Sequence, residues 1–287
     1  MWQSLSLQLS DIIGQSFTIV EKTPVDGGDI NECYTITDGT NRFFVKVNDR
    51  ANLSVFESEA ESLRHLAICG EINVPKVVFI GAVKDHAVLV LNFLALKHLD
   101  TDSAYQLGRQ LAQQHQWGEQ LEYGFDIDNY VGTTVQPNNW HRKWNVFFSE
   151  QRISWQLQLA AERGIHFGNV DSITGRIKER LSGHQPKPCL LHGDLWLGNT
   201  GLSVLGPIFF DPASYWGDRE TDVAMTELFG RFPDSFYTGY NEVWPLEHDY
   251  AERKEIYNLY HILNHALIFG GQYISDAEDI LDALGLN

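Results

Sequence analysis

The pattern of apolar and polar positions changes character about a third of the way along the chain. Phe17-Thr-Ile-Val-Glu-Lys22 alternates and predicts a strand, with Ser10 placed to cap a short helix or turn before it. Cys33–Thr37 predicts a second strand and Phe43–Val47 a third, joined by the turn-forming run Asp38-Gly39-Thr40-Asn41. Phe56, Leu63, Leu66 and Ala67 then recur at helical spacing, and Gly70 marks the helix end. Strands return after Pro75, at Val77–Ile80 and His86–Leu91, and the run breaks at Asn92-Phe93-Leu94. Beyond this point the periodicity is mainly helical. Tyr105–His115 places Leu107, Leu111, Ala112 and His115 on one face. Gly124–Gly132 is a loop rich in polar acceptors. Trp140, Trp144, Phe147, Phe148 and Trp155 belong to helices with aromatic inner faces. His166–Gly183 reads as a loop and a helix, Phe232–Trp244 as an aromatic-rich helix or loop, and Tyr257–Tyr273 as a strongly apolar helix carrying His261, Asn264 and His265. The expected architecture is α+β in two lobes. Residues 1–93 form an antiparallel sheet with one main helix, and residues 94–287 form a larger, mainly helical part, with the boundary at 92–95.

Two short apolar runs interrupt the helical part, and both end in carboxylates. Cys189–Leu191 runs into His192-Gly193-Asp194, and Ile208–Phe210 runs into Asp211. Asn199 lies between them, five residues after Asp194. Two buried strands that each present a carboxylate at the tip, with an amide between, suit phosphoryl transfer. One carboxylate accepts the proton of an incoming hydroxyl, while the amide and the other carboxylate hold magnesium against nucleotide phosphates. The same spacing occurs in the catalytic loop of protein kinases. Asp218, Glu220 and Asp222 follow and can cap the next helix, or Asp222 can anchor the catalytic loop.

The first part supplies matching candidates. Lys46 lies on a strand walled by apolar residues, and Glu59 falls on the inner stripe of the helix thirteen residues later, placed to pair with it. Gly27 and Gly28 sit between two strands, where glycine lets backbone NH groups approach phosphate. A plain tight turn is the alternative for them. Asn92, Phe93 and Leu94 form the extended linker where an adenine ring would take backbone hydrogen bonds. His115 reads as a packing residue. His265 and its neighbours could floor a sugar pocket or simply pack. Trp196, two residues past Asp194, is a stacking surface or a structural side chain.

Composition narrows the class. The chain of 287 residues is 43% hydrophobic with eight Trp, which is enough for a large core, and no apolar run approaches the ~20 residues of a membrane span. The net charge of −17 argues against a nucleic-acid partner. It also means that an anionic ligand needs local cations, metal ions or backbone NH groups. Met1–Gly14 has no basic region before an apolar stretch, so no secretory signal is expected. Cys33, Cys69 and Cys189 are too far apart for a zinc site or a disulfide framework, and a reducing cytoplasm is the expected compartment. Cys33 lies on the nucleotide-covering hairpin as a packed thiol or a redox group.

Leu191-His-Gly-Asp-Leu-Trp-Leu-Gly-Asn199 and Phe210-Asp-Pro-Ala-Ser-Tyr-Trp-Gly-Asp218 resemble the fructosamine kinase (ketosamine 3-kinase) family, part of the wider kinase-like fold shared with aminoglycoside and choline kinases. Gly27-Gly-Asp-Ile-Asn31, Phe44-Val-Lys-Val-Asn48 and Leu228-Phe-Gly230 extend the resemblance from about Gly27 to Tyr273. It implies a bilobal protein-kinase-like fold, ATP and Mg2+, and phosphorylation of the sugar 3-hydroxyl of ketosamines, which starts deglycation. By position it implies Asp194 as base, Asn199 and Asp211 as metal ligands, and Lys46 with Glu59 as the phosphate-positioning pair. The competing readings are a kinase of the same fold acting on an aminoglycoside, choline or a sugar, and a nucleotide-binding module without turnover.

Overall fold

The computed structural model describes residues 1–25 and 30–286. Its first lobe is a five-stranded antiparallel sheet in the order β1-β2-β3-β5-β4, with β1 Glu21–Val25, β2 Glu32–Thr37, β3 Arg42–Asp49, β4 Val77–Val83 and β5 His86–Asn92. The two-residue period of β3 sends Val45 and Val47 to one face and Lys46 to the other. Helix α1, Trp2–Ile13, covers the first face, where Leu5 and Leu9 pack with Val45, Val47, Val88 and Val90. Helix α2, Leu53–Cys69, covers the second, where Phe56, Ala60 and Leu63 pack on Ala87, Leu89 and Leu91. Each such fully buried Leu contributes about 1.5–3 kcal/mol. Gly70 ends α2 at φ 73°, in the left-handed region that glycine adopts freely.

Two expectations for this lobe need correction. The opening helix is α1, beside the main helix α2, and Ser10 lies inside α1 rather than capping it. The strand expected at Phe17–Lys22 begins only at Glu21. Ser10 Oγ donates to the Ser6 carbonyl and accepts from the Phe17 amide at 2.8 Å, so the helix end takes the backbone that a strand partner would have used. Phe17 is buried in the α1 core instead.

The chain leaves β5 at Asn92 and enters α3, Thr101–Gln116, through a capping box between Asp100 and Ser103. Short hairpins and helices follow: β6 Asn129–Val131 with β7 Thr134–Gln136, then α4 Trp144–Phe148, a π-helical turn at Ser149–Ser154, α5 Trp155–Glu162 and α6 Val170–Arg180. The two motif-bearing runs are β8 Cys189–Leu190, paired with β11 Trp216–Gly217, and β10 Gly206–Phe209, paired with β9 Thr200–Ser203. Helices α7 Arg219–Met225, α8 Asp234–Val243, α9 Tyr250–Phe269 and α10 Gln272–Ala283 complete the lobe. The helix expected to run through Tyr273 stops at Gly270, because Gly270 and Gly271 both take positive φ. Helices α3 and α8 cross at glycines: a Cβ on Gly108 would lie 2.0 Å from the Phe236 carbonyl oxygen. Trp144, Phe147, Phe148 and Tyr257 centre the aromatic core. Among the described residues no helix is long and apolar enough to cross a membrane.

Candidate active site

Because Lys46 points to the α2 face, its ammonium meets the one carboxylate that α2 turns inward. Lys46 Nζ donates to both Glu59 oxygens at 2.9 Å and to Asp211 Oδ1 at 2.6 Å. Burial works against the Lys46 charge, but the two carboxylates outweigh it and hold the ammonium protonated. Burial is also the largest influence on Glu59 and pushes it up. The triad therefore ties one strand, one helix and the tip of β10 across the lobes.

The loop between β8 and β9, which carries Asp194, is held by buried side chains rather than by a sheet. Asp222, on α7, accepts from the His192 amide at 2.7 Å and the Gly193 amide at 2.9 Å. His115 Nε2 faces Asp222 Oδ2 at 3.1 Å, and its Nδ1 faces the Tyr240 hydroxyl at 2.8 Å. Burial keeps His115 neutral, so Nε2 is the donor and Nδ1 accepts from Tyr240. Burial disfavours the Asp222 charge, yet these donors outweigh it and keep the carboxylate ionised. His115 is thus the packing residue expected, and the anchoring role open to Asp222 is the one it performs. Asp218 takes the capping role, accepting from the Glu220 amide. His192 is also neutral by burial, and links the two carboxylate loops: Nε2 faces the Phe210 carbonyl at 3.0 Å, and Nδ1 accepts from the Asp194 amide.

Asp194 lies at the end of this scaffold. Asn199 donates from Nδ2 to its main-chain oxygen at 2.8 Å and to Oδ2 at 3.1 Å. Burial first, then the charge of Asp211, pushes the Asp194 carboxyl up to about 7, against the pull of the Asn199 hydrogen bond. Asp211 is held at φ 56°, a left-handed conformation that costs a non-glycine residue about 1–3 kcal/mol. Gly193 closes in from the other side at φ 85°, and a Cβ there would lie 2.0 Å from the Ala213 carbonyl oxygen.

These residues open into a cleft of about 600 Å3. Lys46, Glu59, Asp194, Asn199 and Asp211 line one region, and Trp196, Phe229, His265, Phe269 and Tyr273 form an aromatic wall. His265 packs 4.3 Å from Phe229 between ring centroids, and Trp196 meets Phe229 edge-on at 6.4 Å. Trp196 retains 37% of its surface exposure, a large value for an indole. Cys33 also lines the cleft, and burial pushes its thiol up, away from the reactive thiolate.

The structure thus gathers seven of the candidates: Lys46, Glu59, Asp194, Asn199, Asp211, Trp196 and His265 all line the cleft. Asn92, Phe93 and Leu94 are not among the described lining residues. The Asn92 side chain accepts from the Lys76 amide at 2.6 Å, and the Phe93 amide reaches the Arg42 carbonyl at 3.4 Å. Gly27 and Gly28 lie outside the described residues. Tyr130, on β6, lines the cleft and escaped sequence reading, and Asn264 lines it too. Tyr130 came from a stretch read only as a polar loop. Asn264 was among the polar groups of the apolar helix read as a pocket floor or as packing.

The donor set fits a hard divalent cation. The Asp211 charge disfavours ionisation of the buried Asp194, and the carboxylate oxygens of the two with the Asn199 amide oxygen are the ligand type that Mg2+ prefers. The Asn199 amide nitrogen is committed to Asp194, which leaves its oxygen as the available atom.

A sheet-bearing lobe with a buried Lys–Glu pair, set against a helical lobe that presents an Asp–Asn–Asp constellation, defines a kinase-like phosphotransferase acting on a hydroxyl group. Solved structures agree. An aminoglycoside phosphotransferase APH(4)-Ia in a complex with ADP and hygromycin B superposes with a TM-score of 0.64 at 14% identity, covering 98% of this chain and 97% of that one, a likeness of fold alone. The fructosamine kinase family model matches residues 1–287, and the chain belongs to that family. A Vibrio vulnificus protein named a probable ketoamine kinase is 55% identical over 285 residues, 99% of each chain. An Escherichia coli K12 protein of the same description is 46% identical, again over 99% of each. A crystal structure of a putative fructosamine-3-kinase from Haemophilus somnus superposes with a TM-score of 0.95 at 40% identity, covering 99% of this chain and 97% of that one. The protein is a small-molecule kinase.

Proposed function

We propose that this kinase transfers the γ-phosphoryl group of ATP to the sugar 3-hydroxyl of a ketosamine, such as a ribulosamine or fructosamine, and so starts deglycation. The observation that carries the chemistry is the Asp194 carboxyl, buried beside Asn199 and Asp211 and pushed up to about 7 at the edge of the aromatic wall. Asp194 accepts the proton of the acceptor hydroxyl. The freed oxygen bonds to the γ-phosphorus as the bond to the bridging oxygen of ADP breaks. A group with a pKa near working pH is well matched to that transfer. Lys46, steered by Glu59, neutralises phosphate charge. Asn199 and Asp211 would hold Mg2+, which supplies further charge neutralisation when bound. In this reading the lobe boundary falls at 93/94, and the adenine ring meets the backbone of Asn92, Phe93 and Leu94. Gly27 and Gly28 are assigned to the phosphates on sequence grounds only. Trp196 and His265 offer ring faces to the sugar or its amine-bearing substituent. A phosphate at C3 is a far better leaving group than hydroxide, so its departure from the enolised product leads to release of the amine.

The test is ADP release with Mg-ATP and a panel of ribulosyl-lysine, fructosyl-lysine, free ribose, choline and kanamycin, with Asp194→Asn as control. Turnover confined to the ketosamines and lost in the variant supports the assignment. Activity only on another acceptor retains the mechanism and overturns the substrate.

A further inference from the structure

The segment after Asp211 is held by a set of buried polar side chains that the proposed chemistry does not use. Gln136, at the end of β7 and fully buried, donates from Nε2 to the Ala213 carbonyl at 3.1 Å and to Asn129 Oδ1 at 2.7 Å. Its Oε1 accepts from the Tyr260 hydroxyl at 2.8 Å. Asn129, also buried, donates to the Ser214 carbonyl at 2.7 Å. Ser62 Oγ, on α2, accepts from the Ser214 amide at 3.2 Å. Behind them stands Arg152, in the π-helical turn, which donates to the Pro137 carbonyl and to Asn138 Oδ1, while Asn138 donates to Asn129 Oδ1. A π-helical turn of this kind is uncommon overall but frequent at functional sites.

The peptide this set grips is a shared element of both carboxylate loops. The Ala213 amide donates to the His192 carbonyl at 2.9 Å, and its carbonyl oxygen lies where a Gly193 side chain would be. Fixing that carbonyl fixes the left-handed Asp211 two residues before it, and the seat of Gly193 one residue before Asp194. Apolar side chains would fill the same volume without needing partners. A hydrogen-bonded polar set whose contacts reach the Ala213 and Ser214 carbonyls does something that apolar packing does not: it specifies one backbone position.

We propose that Gln136 is a positioning residue. Through Ala213 directly, and through Asn129 to Ser214, it sets the separation and direction of the Asp211 and Asp194 carboxylates, and hence the affinity for the divalent cation. The inference rests on the reading of Asn199 and Asp211 as cation ligands.

The experiment measures Mn2+ binding to the folded protein with a non-hydrolysable ATP analogue, following free Mn2+ by electron paramagnetic resonance, alongside thermal unfolding and the acceptor KM. Gln136→Leu is expected to weaken Mn2+ binding about tenfold and Ser62→Ala about threefold, with the acceptor KM within about twofold. A merely structural role lowers the unfolding temperature and leaves the Mn2+ affinity of the folded protein unchanged. Wild-type Mn2+ affinity in folded Gln136→Leu, or in Ser62→Ala if the first does not fold, overturns the proposal. Asp211→Asn separates the two levels. If it too binds Mn2+ as the wild type does, the cation reading itself fails. If it alone weakens binding, only the role of Gln136 fails.

Discussion

The two walls of the cleft hold their charged groups by different means. On the sheet side, Lys46 and Glu59 sit within regular elements, and strand and helix periodicity alone turn them toward each other. On the helical side, Asp194, Asn199 and Asp211 sit in or beside short irregular segments that side chains hold in place: Asp222 and His192 under the catalytic loop, Gln136 and Asn129 under the segment after Asp211. Regular elements tolerate loss of a functional side chain, because the backbone is bonded independently of it. A loop held by side chains loses geometry when one of them is removed. Substitutions in the two walls should therefore separate activity from stability in different ways.

The largest effect is expected at Asp194. Asp194→Asn should lower kcat by about a thousandfold, the loss of a general base. Its melting temperature should not fall, because a buried carboxylate pushed up by its surroundings is replaced by a neutral amide. Turnover assays with differential scanning calorimetry check both halves. Lys46→Met should follow, lowering kcat about a hundredfold with the helical wall intact. It removes the cation that pulls Glu59 down, so Glu59 should hold its proton to a higher pH than the wild-type value of about 7, which potentiometric titration against the wild type detects. Asp222→Asn tests the other wall. It touches no substrate in the proposed reading, yet it offers one acceptor oxygen where the His192 and Gly193 amides use two. We expect a stability loss of about 2 kcal/mol by urea denaturation, with a roughly tenfold loss of kcat. If Asp222→Asn is as stable as the wild type, the loop does not depend on its side-chain anchor and the contrast fails.

The smallest effects are those of pH. Asp194 titrates near 7 when folded and at 3.8 in the reference state, so the folded chain holds the extra proton across that window. Its contribution to stability is full below about 4 and is lost as pH rises through about 7, and Asp194→Asn should flatten that slope. Activity runs the other way, declining as pH falls through about 7, because the base must be ionised. His261 has the opposite sign for stability. Burial pulls it from 6.5 down to about 3, so its contribution is present above 6.5 and lost as pH falls toward 3. Denaturant melts of His261→Phe and the wild type between pH 4 and 7 separate the two.

The legible part of the molecule was the part governed by short-range periodicity. The three central strands, helix α2 and its stop at Gly70, the Lys46–Glu59 pair and the Asp194–Asn199–Asp211 spacing could each be read from a few residues. The misreadings arose where a tertiary contact overrode a local pattern. Phe17–Lys22 alternates like a strand, but Ser10 captures its backbone for helix α1. Tyr257–Tyr273 is apolar throughout, but Gly270 and Gly271 turn the chain. Asp222 had two equally good local roles, and only the packing of α7 beneath the loop chose between them.

Local pattern picked out the residues proposed to carry the chemistry, because phosphoryl transfer needs carboxylates, an amide and a lysine on rigid elements, and side-chain periods of 2 and 3.6 residues decide which way each one faces. Folding settled how strongly each group acts. The shifted Asp194, the ionised Asp222 and the left-handed Asp211 depend on burial and on partners such as His115 and Gln136, each more than seventy residues away in the chain. No spacing rule specifies such partners, because desolvation and hydrogen bonding are properties of the space a group occupies and not of its neighbours in sequence.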